Sequence, residues 1–329
     1  MSNPSPPPVR VRAAWPKSIL LLSLVACFVL GRFSGKLNPY HADILTKIGI
    51  NIILAVSLNL VNGYTGQFSL GHAGFMAVGA YTSAAITLFV GPKILPAEGA
   101  AGFAAAGVAL FIAALLAGGL LAAISGLIVG APSLRLKGDY LAIVTLGFGE
   151  IIRVVFQNLD RVGGARGLSV MHGYTDLFWT FGLVAVTVYI VTSLINSTYG
   201  RGFIAVRDDE VAAEAMGINT TKYKVTAFVV GAFFAGIAGG LYAHSKQFIT
   251  PNGFNFMESI AIVVMVVLGG MGNTPGVILA AILLTILPEV LRPVAEYRMV
   301  IYSLLLIVLM LTRPQGLFVW RRKIPEATP

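Results

Sequence analysis

The sequence predicts an all-α, polytopic integral membrane protein of about ten transmembrane helices, some of them broken or re-entrant, with one short cytoplasmic helix between spans. Three observations carry this. Of 329 residues, 57% are apolar and 11% charged, and mean hydropathy is +0.83. No Asp, Glu, Lys or Arg occurs in 48–92, 99–134, 177–200, 225–245 or 259–288. About 20 apolar residues cross a bilayer core, so each run holds one span and the longest holds two. Against that background, seven charged side chains crowd between Arg207 and Lys224.

The first 17 residues, MSNPSPPPVRVRAAWPK, read as a disordered cytoplasmic tail. The apolar run behind them ends in Gly31-Arg32-Phe33 with no small-residue cleavage site, so a retained first span is expected rather than a removed signal peptide. Spans are expected at approximately 18–31, 44–62, 68–90, 102–130, 140–157, 177–197, 222–243, 257–271, 275–291 and 298–312. They form one transmembrane domain, 18–312, followed by a cytoplasmic tail, 313–329. With both termini cytoplasmic, thirteen Lys and Arg fall inside and nine outside, a bias in the expected direction. The net charge of +9 does not point to nucleic acid, because the basic residues punctuate apolar runs instead of interleaving with aromatics. The single cysteine, Cys27, lies in the first run and reads as an inert buried thiol.

Two spans are unusual. The segment 63–90 opens as GYTGQFSLGHAG, with Gly, Ser, Gln and His where a lipid-facing helix would be oily. Irregular backbone at membrane depth is tolerated only where it is buried in protein or lines a cavity. Tyr64, Gln67, Ser69, Gly71 and His72 are therefore candidates for a substrate pathway. The alternative is that they satisfy exposed backbone in a broken helix. Ser69 and His72 would share a face of a helix, so a hydrolytic pair is a third option, with no carboxylate near in sequence and no nucleophile-elbow pattern. The last span, with 14 uncharged residues over 299–312, needs Arg298 and Arg313 to snorkel.

Small residues recur every four positions at Ala114, Gly118, Ala122, Gly126 and Gly130, and again at Ala232, Gly236 and Gly240. Such stripes let helices approach closely in lipid; packing alone, or a channel lining, would explain them. Glu150 and Arg153, one turn apart inside a span, are either a self-neutralising local pair or a functional one. Asp139 reads as an interfacial cap, and Glu258 as a residue at the outer surface. The glycines of 268–276 read as a turn between spans. No G-x-x-x-x-G-K-[ST] occurs, and four scattered histidines with one cysteine offer no metal-ligand spacing. No catalytic, metal or cofactor site is expected.

The charged stretch GRGFIAVRDDEVAAEAMGINTTKYK (200–224) writes a short helix: Asp208, Asp209 and Glu210 load its first turn, and Gly217 stops it. Asn219 or Thr220 then caps the next span, which starts at Lys222. A helix of about nine residues is marginal alone, so something must hold it.

Four segments, SLNLVNGYTGQFSLGHAGFMAVGAY (57–81), RLKGDYLAIVTLGFGEIIR (135–153), AVRDDEVAAEAMGINTTKYKVTAF (205–228) and LTRPQGLF (311–318), resemble the LivM-type permease subunits of branched-chain amino acid ABC importers. The resemblance runs from about 44 to 318. It implies a bacterial inner-membrane subunit paired with a second, LivH-like permease, two ABC ATPase subunits that bind ATP and Mg, and a periplasmic substrate-binding protein. It also implies that 205–218 is a coupling helix docking on an ATPase, with Arg207, Asp208, Glu210, Ala213, Glu214, Ala215 and Gly217 at the contact. Such a partner would hold the marginal helix. One departure lies in Arg161–Leu168, where Val162 replaces the usual Thr. Urea, short amides or small aromatic acids are alternative cargoes, and a stand-alone carrier or channel is the alternative of another class.

Overall fold

Helices occupy the apolar runs, and polar residues at their edges begin and end them. The structure, a computed structural model, describes residues 38–94, 103–134, 140–170, 173–294 and 297–312, with Leu20, Val25, Gly31 and Gly316. The expected tails, the loop holding Arg135, Lys137 and Asp139, and nearly all of the first span lie outside the described residues. The chain runs through α1 (Pro39–Asn59), α2 (His72–Phe89), α3 (Phe103–Ser133), α4 (Tyr140–Asn158), α5 (Leu177–Asn196), α6 (Thr198–Asp208) and α7 (Glu210–Ala215). It continues with α8 (Thr220–Lys246), α9 (Phe256–Gly269), α10 (Thr274–Val290) and α11 (Arg298–Thr312). Among the described residues, seven helical stretches are long and apolar enough to cross a membrane. The later helices α9, α10 and α11 are short, with 14, 17 and 15 residues.

Local chemistry explains the starts. Asn38 accepts from the Tyr40 amide (3.1 Å), with Pro39 at the first helical position. Asn219 accepts from the Lys222 amide (3.0 Å), and Asn255 from the Glu258 amide (3.2 Å). The cap before α8 is Asn219, so that helix starts at Thr220 rather than Lys222.

The core is the trio α2, α3 and α8, where the small-residue stripes meet backbone to backbone. A Cβ on Gly79 would run into Gly236, one on Gly118 would lie 2.8 Å from the Gly79 carbonyl oxygen, and one on Gly236 would lie 2.5 Å from the Ala122 Cβ. Gly126 abuts Ala232 in the same way, at 2.6 Å. These positions are filled by helix contact, which favours packing over a channel lining. Elsewhere α3 turns Leu116, Leu120, Ile124 and Ile128 outward, as a lipid-facing surface requires.

The helices alternate between two ends. At one end sit α6 and α7; there Arg207 touches Gly63 after α1 and lies against Gly272 before α10. At the opposite end, the Tyr40 hydroxyl donates to Glu289 (2.6 Å) and the Lys246 ammonium to Asp43 (2.7 Å). That end is also closed by a two-stranded antiparallel ladder, β1 (Leu168–Ser169) with β2 (Phe248–Ile249), pairing Leu168 with Ile249.

Candidate functional site

Helix α1 does not stop cleanly: it widens into a π turn over Leu60–Tyr64, and residues 66–71 then run without helix to α2. The expected span 68–90 is helical only from His72, so Ser69 is not on a helix with it. Side chains satisfy this irregular backbone. Asn62 Oδ1 accepts from the Ser69 amide (3.2 Å), Thr145 Oγ1 of α4 from the Leu70 amide (3.0 Å), and Ser259 Oγ of α9 from the Ala73 amide (3.0 Å). Gly71 is needed because a Cβ there would strike the Thr145 carbonyl oxygen. Ser69 and Gly71 are thus buried in protein, the condition under which irregular backbone survives in a membrane, whereas Gly66 and Phe68 at the start of the segment are exposed.

The Ser–His pairing considered from sequence does not form. His72 bonds through Nε2 to Ser57 Oγ (2.9 Å), and Ser57 Oγ itself donates to the Leu54 carbonyl (3.0 Å), so the imidazole is the donor to Ser57. The Ser69 hydroxyl is buried and has no hydrogen-bond partner among the described residues. Gln67 Nε2 donates to the Thr65 carbonyl (3.2 Å), and the Tyr64 hydroxyl meets Thr274 Oγ1 (3.0 Å). Tyr64 therefore ties the break to the start of α10.

The charged connector is two helices and not the single one expected over 205–218. Asp209 is extended (φ −157°) and splits them: Asp208 ends α6, while the Asp209 carboxylate caps α7 by accepting from the Val211 (2.9 Å) and Ala212 (3.0 Å) amides. Gly217, at φ +82°, closes α7, with the Ile218 amide donating to the Ala213 carbonyl (3.0 Å). The chain holds this marginal helix by itself. Glu210 pairs with Lys224 of α8 (2.6 Å), whose side chain is only 2% exposed, and Thr220 donates to Glu214 (2.7 Å). Ala213 is buried against the bundle, whereas Val211, Ala212, Ala215 and Met216 face outward. Met216 is 82% exposed.

The two candidate groups touch each other. Arg207 Nη1 donates to the Gly63 carbonyl (3.4 Å), and its Cγ would lie 3.0 Å from a Cβ on Gly66, which has φ +68°. Gly272, at φ +79°, lies against the same guanidinium. The Asp208 carboxylate accepts from Arg207 Nη2 (2.7 Å) and orients it. One side chain of the connector therefore contacts both glycine turns that flank α1 and α10.

Arg153 Nε donates to Glu150 (2.7 Å), and Arg153 Nη1 also donates to Asn252 (3.2 Å). The two charges meet within one helical turn, an arrangement open to either a structural or a functional pair. In the loop after α4, Val162 is buried, and Gly163, Gly164 and Gly167 take positive φ around it. Glu258 is in the first turn of α9 and lines a cavity of about 310 Å³ together with Lys47 of α1. Sequence reasoning missed Lys47 altogether, because only the packing of α1 on α9 and α10 brings it to that wall. None of Tyr64, Gln67, Ser69, Gly71 and His72 lines this cavity.

A family model described as a branched-chain amino acid transport system / permease component matches residues 40–311. The high-affinity branched-chain amino acid transport system permease protein LivM of Salmonella typhimurium is 38% identical over 225 residues, 58% of this chain and 53% of that protein. The probable branched-chain amino acid transport permease protein LivM of Methanocaldococcus jannaschii is 28% identical over 222 residues, covering 58% and 64%. The LivH permease protein of the Escherichia coli high-affinity system is 30% identical over 156 residues, covering 46% and 49%. The chain spans about half the length of the curated relatives it matches. No solved structure matches.

Proposed function

The chain belongs to the family of branched-chain amino acid transport permease components, and from that premise we propose that it is one of two permease subunits of an ATP-driven importer for leucine, isoleucine and valine. The second permease is a LivH-like chain, a periplasmic binding protein delivers substrate, and two ATPase subunits, which hold ATP and Mg, drive the cycle. The protein lies in a bacterial inner membrane with α6, α7 and both termini in the cytoplasm. Tyr64, Gln67, Ser69, Gly71 and His72 form a broken-helix gate within the pathway.

The observation that carries this reading is the connector. The cap of α7 is satisfied from within, its ionic residues Glu210 and Glu214 are engaged, and Ala213 is buried, yet Val211, Ala212, Ala215 and Met216 are left uncovered outside the lipid-facing helices. A small, rigid apolar face of that kind suits the cleft of an ATPase. Arg207 would then carry its displacement to the turns at Gly63 and Gly272. The test is ATP-dependent leucine uptake by the assembled importer in proteoliposomes. Glu214→Arg is expected to abolish uptake while leaving membrane insertion intact, and the chain alone is expected to move no leucine. Wild-type uptake by that variant would remove the coupling assignment, and uptake by the chain alone would make it a stand-alone carrier.

A further inference from the structure

At the end opposite the connector, a cavity of about 310 Å³ opens between α1, α8, α9 and α10 and reaches Met76 of α2. Its size is at the small end of ligand pockets, about 300–1,000 Å³. Five ionisable side chains of opposite signs line it: Asp43, Lys47, Lys246, Glu258 and Glu289. Three of them are engaged at the rim. Lys246 donates to both Asp43 oxygens (2.7 and 2.9 Å), and Glu289 accepts from the Tyr40 hydroxyl (2.6 Å).

Lys47 and Glu258 remain. Among the described residues neither has an ion pair or a side-chain hydrogen bond, although Lys47 is near enough to act on Glu258 electrostatically. An ammonium and a carboxylate that share one cavity wall without joining leave a gap with a positive and a negative edge. Both residues are exposed, so a ligand carrying complementary charges can reach them in exchange for water. Ile50 and Met76 supply apolar surface in the same cavity, and Asn51, bonded to Thr285 (2.8 Å), closes part of its wall.

We propose that this cavity is a binding site for a free aliphatic α-amino acid, with Lys47 taking the carboxylate, Glu258 the ammonium, and Ile50 and Met76 the side chain. The proposal rests on the amino acid import reading and adds that this chain itself recognises the zwitterion. A cavity of about 310 Å³ takes a molecule of amino acid size, and two charges of opposite sign on its wall select a zwitterion over an amide such as urea.

The test is saturable binding of radiolabelled leucine to the full chain in lipid nanodiscs, with isovalerate (no ammonium), isoamylamine (no carboxylate) and urea as competitors. Lys47→Met and Glu258→Gln are each expected to weaken binding by about tenfold or more, the loss of one charge-assisted contact. Isovalerate and isoamylamine should compete at least about tenfold less well than unlabelled leucine, and urea not at all. The double exchange Lys47→Glu with Glu258→Lys should recover part of the affinity, which a misfolded variant would not. No saturable binding to the wild-type chain, or equal binding by all variants, would overturn the site. Leucine uptake by the assembled importer is measured in parallel: uptake with no effect of either substitution sinks the site alone, whereas no ATP-dependent uptake of any amino acid sinks the import reading.

Discussion

Replacing Glu210 by Gln tests how α7 is held. The Lys224 ammonium is 2% exposed and lies 2.6 Å from the Glu210 carboxylate, which is 27% exposed. Removing one partner of a buried pair costs about 3–5 kcal/mol, because the other charge stays behind uncompensated. Glu210 keeps some contact with water, so the lower figure, about 3 kcal/mol, applies here. The least costly response is local: α7 swings away and lets water reach Lys224. Hydrogen exchange reads this directly, since the Ala213, Met216, Gly217 and Ile218 amides are bonded within the turn. Their protection should fall by roughly 100-fold in Glu210→Gln, while amides of the α2–α3–α8 core keep theirs. Adding Lys224→Met replaces the charge with an apolar group and should restore protection to within about 1 kcal/mol of wild type. Unchanged exchange in the single variant, or an equal loss in the double one, would refute the reasoning.

Other outcomes follow from the same geometry. Gly236→Val places methyl groups where Ala122 and the Gly118 carbonyl already sit; it should cost about 3 kcal/mol, read as a lower melting temperature in detergent. Ser69→Ala removes a buried hydroxyl that has no partner among the described residues, so stability should stay level or rise by about 1 kcal/mol, and retained uptake would dispose of a hydrolytic role. Arg207→Lys keeps the charge but loses the planar reach to Gly63; transport per ATP hydrolysed in the assembled importer should fall by about tenfold, with insertion unchanged.

Much of this architecture is legible in the sequence because lipid imposes it. Charge-free runs had to become helices, and the stripes through Gly118 and Gly236 had to face something close. The short helix at α7 was legible through Asp209, Gly217 and Asn219, residues whose local chemistry acts within a few positions. What held it was not, since Lys224 looks like a basic residue at a span edge until folding buries it under Glu210. The same limit applies to His72, which pairs with Ser57 on the preceding helix and not with Ser69 nearby. Lys47 and Glu258, more than two hundred residues apart, meet only through the packing of non-adjacent helices. Periodicity and capping are local signals, and contacts of that kind leave no trace in them.

Three helices whose backbones touch at Gly79, Gly118 and Gly236 cannot slide past one another, because there is no side-chain layer between them to shear. They amount to a keel. Helix α1 is bound to that keel, since a Cβ on Gly231 of α8 would lie 3.2 Å from the Ser57 carbonyl oxygen and His72 of α2 bonds Ser57. If a pathway opens first to one side of the membrane and then to the other, the motion falls on α9 and α10, joined through the Gly272 turn and tied to α2 by contacts such as Ser259 to Ala73. Four helices would serve as a frame, and the pair joined at Gly272, which Arg207 touches, would be the part that moves.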